Sequence, residues 1–310
     1  SYTFQTVSEL KERYPDAELI LLMGSDMFLC FDQWKQPDDI LKNVELGVFY
    51  RGNKGEKTAV AESKAKLEQR GAKICLVEND IVDISSTQLR RMLAFHCAGP
   101  FLSPGVAAYI REHRLYDVDA QWKNLPMAEL ERVVIRLLNP NRVAHVLGCR
   151  DTAVALAKRW GADVTDAARA GILHDITKAL DGPLQLTVCA EYGKILGEFS
   201  RKYPRTLHAL TGSMVAERIF GENEAVVSAI RSHTTGKADM NLLETIIYVA
   251  DYMEPNRSFP GVEQLRKLAF SDLTAALEMT LEHLKEQGNE VSPESREALD
   301  WLNRQEAEAL

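Results

Sequence analysis

Cysteine is scarce, with five in 310 residues and none at CxxC spacing. An odd, scattered set supports neither a disulfide framework nor a thiolate zinc site, so the sulfurs read as small buried hydrophobes or idle thiols. No apolar run reaches membrane-spanning length, and no basic-then-apolar signal segment opens the sequence; a reducing cytoplasm is the expected location, with no membrane partner. A basic surplus is missing too. The net charge of −8 disfavours nonspecific nucleic-acid binding, which needs a cationic surface to displace counterions. It leaves room for a small phosphorylated ligand gripped by a few local cations. Histidine is rare, with seven in the chain and none among the first 95 residues. Internal repeats and low-complexity segments are absent.

What is present describes a globular chain in two unlike parts. At 310 residues, with 45% hydrophobic and 26% charged, two domains are expected, each able to bury a core. Glu18–Met23, Val44–Tyr50 and Ala72–Val77 read as buried strands. Helical stretches lie at Val7–Arg13, Pro37–Asn43 and Thr58–Arg70; Pro37 suits a first helical position. Strands alternating with helices predict a parallel sheet covered by helices. The polar stretch Tyr116–Pro126 carries no period and marks the expected boundary. This gives an α/β domain over 1–118 and an all-α domain over 127–310. In the second part Asn139-Pro140 starts a helix that carries His145 to about Trp160, and Thr165 caps the next, which ends near Lys178. Further helices are expected at Leu207–Phe220, Glu224–Thr234 and Leu242–Met253, with two more starting at Ser271 and Ser292-Pro293.

Four of the seven histidines form a pattern in the helical part: His145, His174, His208 and His233. Asp175 adjoins the second, and Asp251 comes late. Imidazole nitrogen and carboxylate oxygen hold divalent metals such as iron, manganese or zinc. A metal with few protein ligands keeps open positions, where it activates water and polarises a phosphoryl oxygen. A single histidine in an amphipathic stretch is more often a satisfied, partly buried side chain. The set argues otherwise, because Asp251 sits in the apolar run VADYMEP and an unpaired buried aspartate is costly. His174 and Asp175 near one helix end, His145 on the preceding helix and Asp251 on a later one would converge as helical bundles converge on metals. Lys178, one turn beyond His174, shares its face, against the plainer reading of a cation offsetting the helix dipole. Arg257 follows a proline-broken turn, where a mobile surface arginine is the alternative. Thr234-Thr235-Gly236 also reads as a simple helix end.

His145, LHDITK at 173–178, IRSHTTG at 230–236 and VADYMEPNRSFPGV at 249–262 resemble the HD-domain superfamily. More narrowly, they resemble its bacterial family that cuts diadenosine tetraphosphate symmetrically into two ADP. The similarity runs from about Met127 to the C-terminus and implies an HD-type helical bundle. It implies His145, His174, Asp175 and Asp251 as ligands of a divalent metal, iron first, with manganese or cobalt as alternatives. Asp175, Lys178, His208 and His233 would be the catalytic groups. Lys178, His208, His233, Asp251 and Arg257 would face a dinucleoside polyphosphate substrate and its ADP product. His208 and His233 alternatively hold a second ion, and a homodimer is one admissible assembly. Other HD enzymes act on other nucleotides, but no GYP triplet follows the HD pair and HDITK lacks an acidic pair after it. A catalytically silent nucleotide-binding or scaffolding protein is the remaining alternative, which the full ligand set disfavours.

Met23-Gly24-Ser25-Asp26, Trp34 and the run Ile84–Arg90 resemble bacterial nicotinate-nucleotide adenylyltransferase, a partial Rossmann-like nucleotidyltransferase sheet. That likeness implies Asp26 on the adenosine ribose and Trp34 and Thr3 on the nicotinate side. Ser85, Ser86, Thr87 and Arg90 would lie on the triphosphate, since a helix start offers N–H donors to phosphate. The histidine pair of that family's HxGH motif has no counterpart here, and Ser1-Tyr2-Thr3 aligns well inside its fold. The expectation is a half that does not transfer adenylyl groups as given and leaves a sheet edge open, with nicotinate-nucleotide adenylyltransferase activity the alternative if the missing N-terminal region belongs to the native protein. Joining the two halves points to a link between NAD synthesis and dinucleotide clearance.

Overall fold

The computed structural model describes residues 2–52, 55–286 and 292–309, so Ser1 lies outside the described residues. The chain divides into two compact units, Ser1–Ser85 and Ser86–Leu310.

The first unit alternates helices with strands: α1 (Thr3–Arg13), β1 (Ile20–Gly24), α2 (Ser25–Leu29), α3 (Pro37–Leu41), β2 (Glu45–Phe49), α4 (Glu56–Glu68) and β3 (Lys73–Val77). The strands form a parallel sheet in the order β1-β2-β3, with Leu22 opposite Gly47 and Gly47 opposite Cys75. All three apolar runs become strands, but only central β2 is buried along its middle, and Ile20 and Leu22 on β1 stay exposed. β1 is an edge strand among the described residues, which corrects the expectation that it is fully buried. The core gathers Phe28, Phe31, Ile40, Leu46, Val48, Val60 and Leu67.

The second unit is helical: α5 (Ser86–Ala94), α6 (Pro104–Glu112), α7 (Met127–Leu137), α8 (Val143–Trp160), α9 (Val164–Leu173), α10 (Gly182–Glu191), α11 (Glu198–Lys202), α12 (Leu207–Val215), α13 (Glu224–Ser232), α14 (Leu242–Met253), α15 (Val262–Ser271), α16 (Leu273–Glu286) and α17 (Pro293–Ala309). The division falls before the polar Tyr116–Pro126 stretch rather than within it. Arg91 on α5 explains part of this: its Nε donates to Leu137 O at 2.7 Å and its Nη2 to Asn139 Oδ1 at 2.9 Å. The polar stretch itself is anchored in the unit, because Trp122 stacks on Phe220 at 5.7 Å and Asn124 N donates to Phe220 O. No helix among the described residues is long and apolar enough to cross a membrane.

Short polar side chains start the helices that matter for the site. Asp163 caps α9 by accepting from Asp166 N at 2.8 Å, so the cap is this aspartate and not Thr165, which lies inside the helix. Asn223 caps α13, and Asn241 with Glu244 forms a capping box on α14. Gly161 closes α8 at φ 81°, a left-handed conformation that favours glycine. α8 and α9 approach closely at Gly171, where a Cβ would meet the Arg150 Cα at 2.7 Å. α9 ends at Leu173 and the chain turns on through His174–Lys178, where Ile176 N donates to Leu173 O and Lys178 N to Asp175 O.

Candidate metal centre

That turn delivers His174 and Asp175 to the middle of the helical unit. Thr177 fixes it against α12 by donating to His208 O at 3.0 Å, and Gln185 Nε2 closes it by donating to Thr177 O at 2.7 Å. His145 arrives from the first turn of α8, His208 from the start of α12, His233 from the end of α13 and Asp251 from α14. All four histidines and Asp175 are buried, while Asp251 keeps 17% of its side chain exposed. Of the sequence-expected residues, His145, His174, Asp175, Lys178, His208, His233, Asp251 and Arg257 come together here.

The distances order them around Asp175. Its Oδ2 lies 3.6 Å from Nε2 of both His145 and His174. Its Oδ1 lies 3.4 Å from His208 Nε2 and 3.8 Å from His233 Nε2. Asp251 Oδ1 lies 3.1 Å from His145 Nε2 and 3.8 Å from His174 Nε2. Asp175 therefore faces two pairs of histidines, one pair at each oxygen. His145, His174 and Asp251 form one compact donor group, and His174, Asp175 and His233 form another.

Three of the rings have their tautomer fixed. His174 Nδ1 lies 2.8 Å from Gly171 O, His233 Nδ1 lies 2.6 Å from Ile230 O, and His145 Nδ1 lies 3.1 Å from Glu254 Oε1. Carbonyl and carboxylate oxygens only accept, so each Nδ1 carries a proton and each ring turns its Nε2 to the centre. This is how metal-binding imidazoles are oriented, and the donor set fits a divalent cation.

The charges agree. Burial opposes ionisation of Asp175, but His174, His208 and Lys178 outweigh it and hold the carboxyl well below the usual range. Asp251 is likewise held down against burial by the hydrogen bond from His145, by His174 and by Arg257. Burial, then the neighbouring His174, lowers His233 to about 4, which leaves it neutral near pH 7. Lys178 is lowered by burial, partly countered by Asp175 and Asp251. Its Nζ lies 3.0 Å from His208 Nε2, and Thr234 Oγ1 lies 3.0 Å from the same nitrogen and 3.1 Å from His233 Nε2. Arg257 donates through Nη2 to Asp251 Oδ1 at 2.7 Å and through Nε to Asp251 O at 2.8 Å.

Sequence reasoning missed three contributors. Glu254 is 1% exposed and takes its other oxygen to Asn256 N at 2.7 Å and Asn256 Nδ2 at 2.8 Å. Arg266 Nε donates to Met253 O, and its Nη2 to Glu254 O and Arg257 O at 2.8 and 2.9 Å, clamping the turn that carries Glu254 and Arg257. Arg142 pairs with Asp175 Oδ2. A signal for Glu254 existed in Gly148, on α8 near His145, where any side chain would strike the Glu254 carboxylate.

The residues expected around a nucleotide in the α/β part lie elsewhere. Asp26, on α2, faces Arg51 at 3.4 Å with about half of its side chain exposed. Gly24 makes room, since a Cβ there would meet Asp26 Oδ1 at 2.5 Å. Trp34 packs on Phe31 at 5.2 Å, and Thr3 opens α1. Ser85 ends the first unit. Ser86 and Thr87 open α5 in the second unit, and the Arg90 guanidinium lies 5.2 Å over the Tyr116 ring.

Comparison with known proteins follows this division. Residues 142–256 match the HD domain family and residues 2–92 the cytidylyltransferase-like family. The chain is 38% identical over 170 residues to the symmetrical bis(5'-nucleosyl)-tetraphosphatase of Bacillus subtilis, covering 53% of this chain and 91% of that protein. It is 27% identical over 294 residues to a "Probable nicotinate-nucleotide adenylyltransferase/Ap4A hydrolase" of Mycoplasma pneumoniae, covering 92% of this chain and 76% of that protein. A solved structure from Clostridium acetobutylicum, described as a predicted HD superfamily hydrolase involved in NAD metabolism, superposes with a TM-score of 0.56. It is 36% identical, over 58% of this chain and 98% of that one.

Proposed function

Since the chain belongs to the HD-domain family of symmetrical bis(5'-nucleosyl)-tetraphosphatases, we propose that its helical unit hydrolyses diadenosine tetraphosphate to two ADP at the cluster around Asp175. The observation that carries this reading is the convergence of three tautomer-fixed Nε2 atoms on two carboxylates. A divalent cation held by His145, His174, Asp175 and Asp251 supplies, when bound, a polarised phosphoryl oxygen and an activated water. The mixed nitrogen and oxygen donors favour iron, with manganese or cobalt as alternatives.

The remaining residues act on the polyphosphate. Arg257, with 35% of its side chain exposed, has N–H donors beyond those that Asp251 takes, and a guanidinium fork suits phosphate oxygens. Lys178 and His208, 3.0 Å apart, share a proton that can pass to the departing ADP oxygen. His233, buried and neutral, hydrogen-bonds rather than charges the substrate. His208 and His233 could instead hold a second ion with Asp175 Oδ1. The closeness of the Lys178 ammonium to His208 favours the first role, because two cations repel strongly at that range.

Attack on a central phosphorus leaves two ADP, whereas attack on an outer one leaves ATP and AMP. Chromatography of products from metal-loaded protein and diadenosine tetraphosphate should show ADP alone, and equal ATP and AMP would refute the reading. For the first unit, the matched family and the fused relative support a nucleotidyltransferase-type fold linked to NAD biosynthesis, with Asp26 and Trp34 as nucleotide contacts. Unpaired cysteines suit a reducing cytoplasm, where we place the protein.

A further inference from the structure

Three cationic side chains border the centre, and one of them has a role that its partner does not explain. Arg142 closes the turn Pro140–Arg142 ahead of α8. Its backbone is braced from behind: Arg142 N donates to Asn139 O at 2.9 Å, and Asn139 Oδ1 accepts from Arg91 Nη2 at 2.9 Å. From this fixed base the side chain reaches Asp175, and Nη2 donates to Oδ2. Arg142 Nε is buried with no hydrogen-bond partner among the described residues, although the side chain as a whole is 29% exposed. A guanidinium presents its donors as a rigid fork, and an orphaned buried donor is costly. Asp175 therefore satisfies only part of this fork.

The oxygen that Arg142 engages is also the one that faces His145 and His174, at 3.6 Å from each Nε2. A divalent cation and a guanidinium compete for such an oxygen, because both neutralise the same charge and repel each other at contact range. We propose that Arg142 is a phosphate-binding residue of this centre, a proposal that rests on the hydrolysis reading above. Its guanidinium gives up Asp175 Oδ2 when that oxygen serves a divalent cation, and the released fork, Nε–H included, grips polyphosphate oxygens. Lys178 and Arg257 then hold the chain from other sides. The exchange keeps the carboxylate neutralised throughout and turns the arginine toward substrate only in the metal-loaded enzyme.

Competition of this kind predicts that two affinities move in opposite directions. In the full-length protein, Arg142→Gln should bind Mn²⁺ several-fold more tightly than the unsubstituted chain by titration calorimetry. The Mn²⁺-loaded variant should bind inorganic tripolyphosphate about ten- to a hundredfold more weakly, the usual effect of losing a charge-assisted hydrogen bond. Arg142→Lys, which keeps the charge but loses the fork, should retain part of the tripolyphosphate affinity, and it carries the test if thermal melting shows that Arg142→Gln does not fold. Weaker Mn²⁺ binding in folded Arg142→Gln would show that Arg142 merely braces Asp175. Unchanged tripolyphosphate affinity would remove its phosphate role. Tripolyphosphate carries no nucleoside, so both measurements stand even if the unsubstituted protein fails to cleave diadenosine tetraphosphate.

Discussion

Replacing Gly148 by Ala adds one methyl group that touches none of the expected metal ligands, yet it should weaken the metal centre. Gly148 lies three positions after His145 on α8, and a Cβ there would collide with Glu254 Oε2 and press on Asn256 Nδ2 at 3.1 Å. Alanine is the better helix former by about 1 kcal/mol, while overpacking costs about 1–3 kcal/mol. The net change in stability should therefore be small, about 0–2 kcal/mol destabilising. The effect on the site should be large, because Glu254 must leave the position from which its Oε1 meets His145 Nδ1 at 3.1 Å. Loss of such an outer partner lowers metal affinity by about 10–100-fold. Glu254→Ala should lower it similarly. The pair should not add, because once the carboxylate is gone the methyl group has nothing to displace. In the Glu254→Ala background, Gly148→Ala should then raise the thermal midpoint. Metal titration and melting of the four proteins read both effects. A Gly148→Ala chain that binds metal as tightly as the unsubstituted protein would show that Glu254 does not hold His145 for coordination.

Asp175→Ala should abolish metal binding and hydrolysis together while far-UV circular dichroism stays near that of the unsubstituted protein; full activity without metal would overturn the ligand assignment. Thiol titration of the native protein should count Cys75 and, more slowly, Cys30, because Cys97, Cys149 and Cys189 are buried. Burial pushes Cys97 and Cys189 up to about 11, so all five reacting quickly before unfolding would contradict the packing. Burial and then His174 hold His233 at about 4 against an ordinary 6.5, so between these values the unfolded chain binds the proton and the native one does not. Chelator-treated protein should accordingly lose stability as pH falls from 6.5 towards 4, and less so in His233→Gln; identical pH profiles would refute that origin.

Much of this centre is legible in the sequence because histidine is rare and its chemistry is narrow. The apolar runs of the first unit likewise declare their strands, and Leu242–Met253 matches α14 at both ends. The rest depends on relations that spacing does not carry. Glu254 reads as the end of a helix before proline, and only the fold brings it to a histidine 109 positions away. Arg142 reads as an ordinary cation at a helix start until the 174–178 turn places Asp175 against it. The cap at Asp163 rather than Thr165 reflects local competition, since both side chains can cap and the carboxylate meets Asp166 N. The polar Tyr116–Pro126 stretch resembles a linker because its one buried ring, Trp122, finds its partner in Phe220.

The acceptors behind the three fixed imidazoles differ in where the chain obtains them. A helix leaves its last carbonyls without amide partners and its first amides without carbonyls. His174 and His233 each sit just past a helix end, and each finds a carbonyl three residues back on its own helix, Gly171 O and Ile230 O, the latter shared with the His233 amide. Each of these histidines comes with its own orientation, so a point substitution elsewhere has little hold on it. His145 occupies the opening turn of α8, where the uncommitted backbone groups are donors and none can receive an imidazole proton. Its acceptor has to be imported, and the import relies on a glycine for clearance, an asparagine for restraint and Arg266 for the turn. Inherited or engineered damage remote from the centre should therefore reach it mainly through His145.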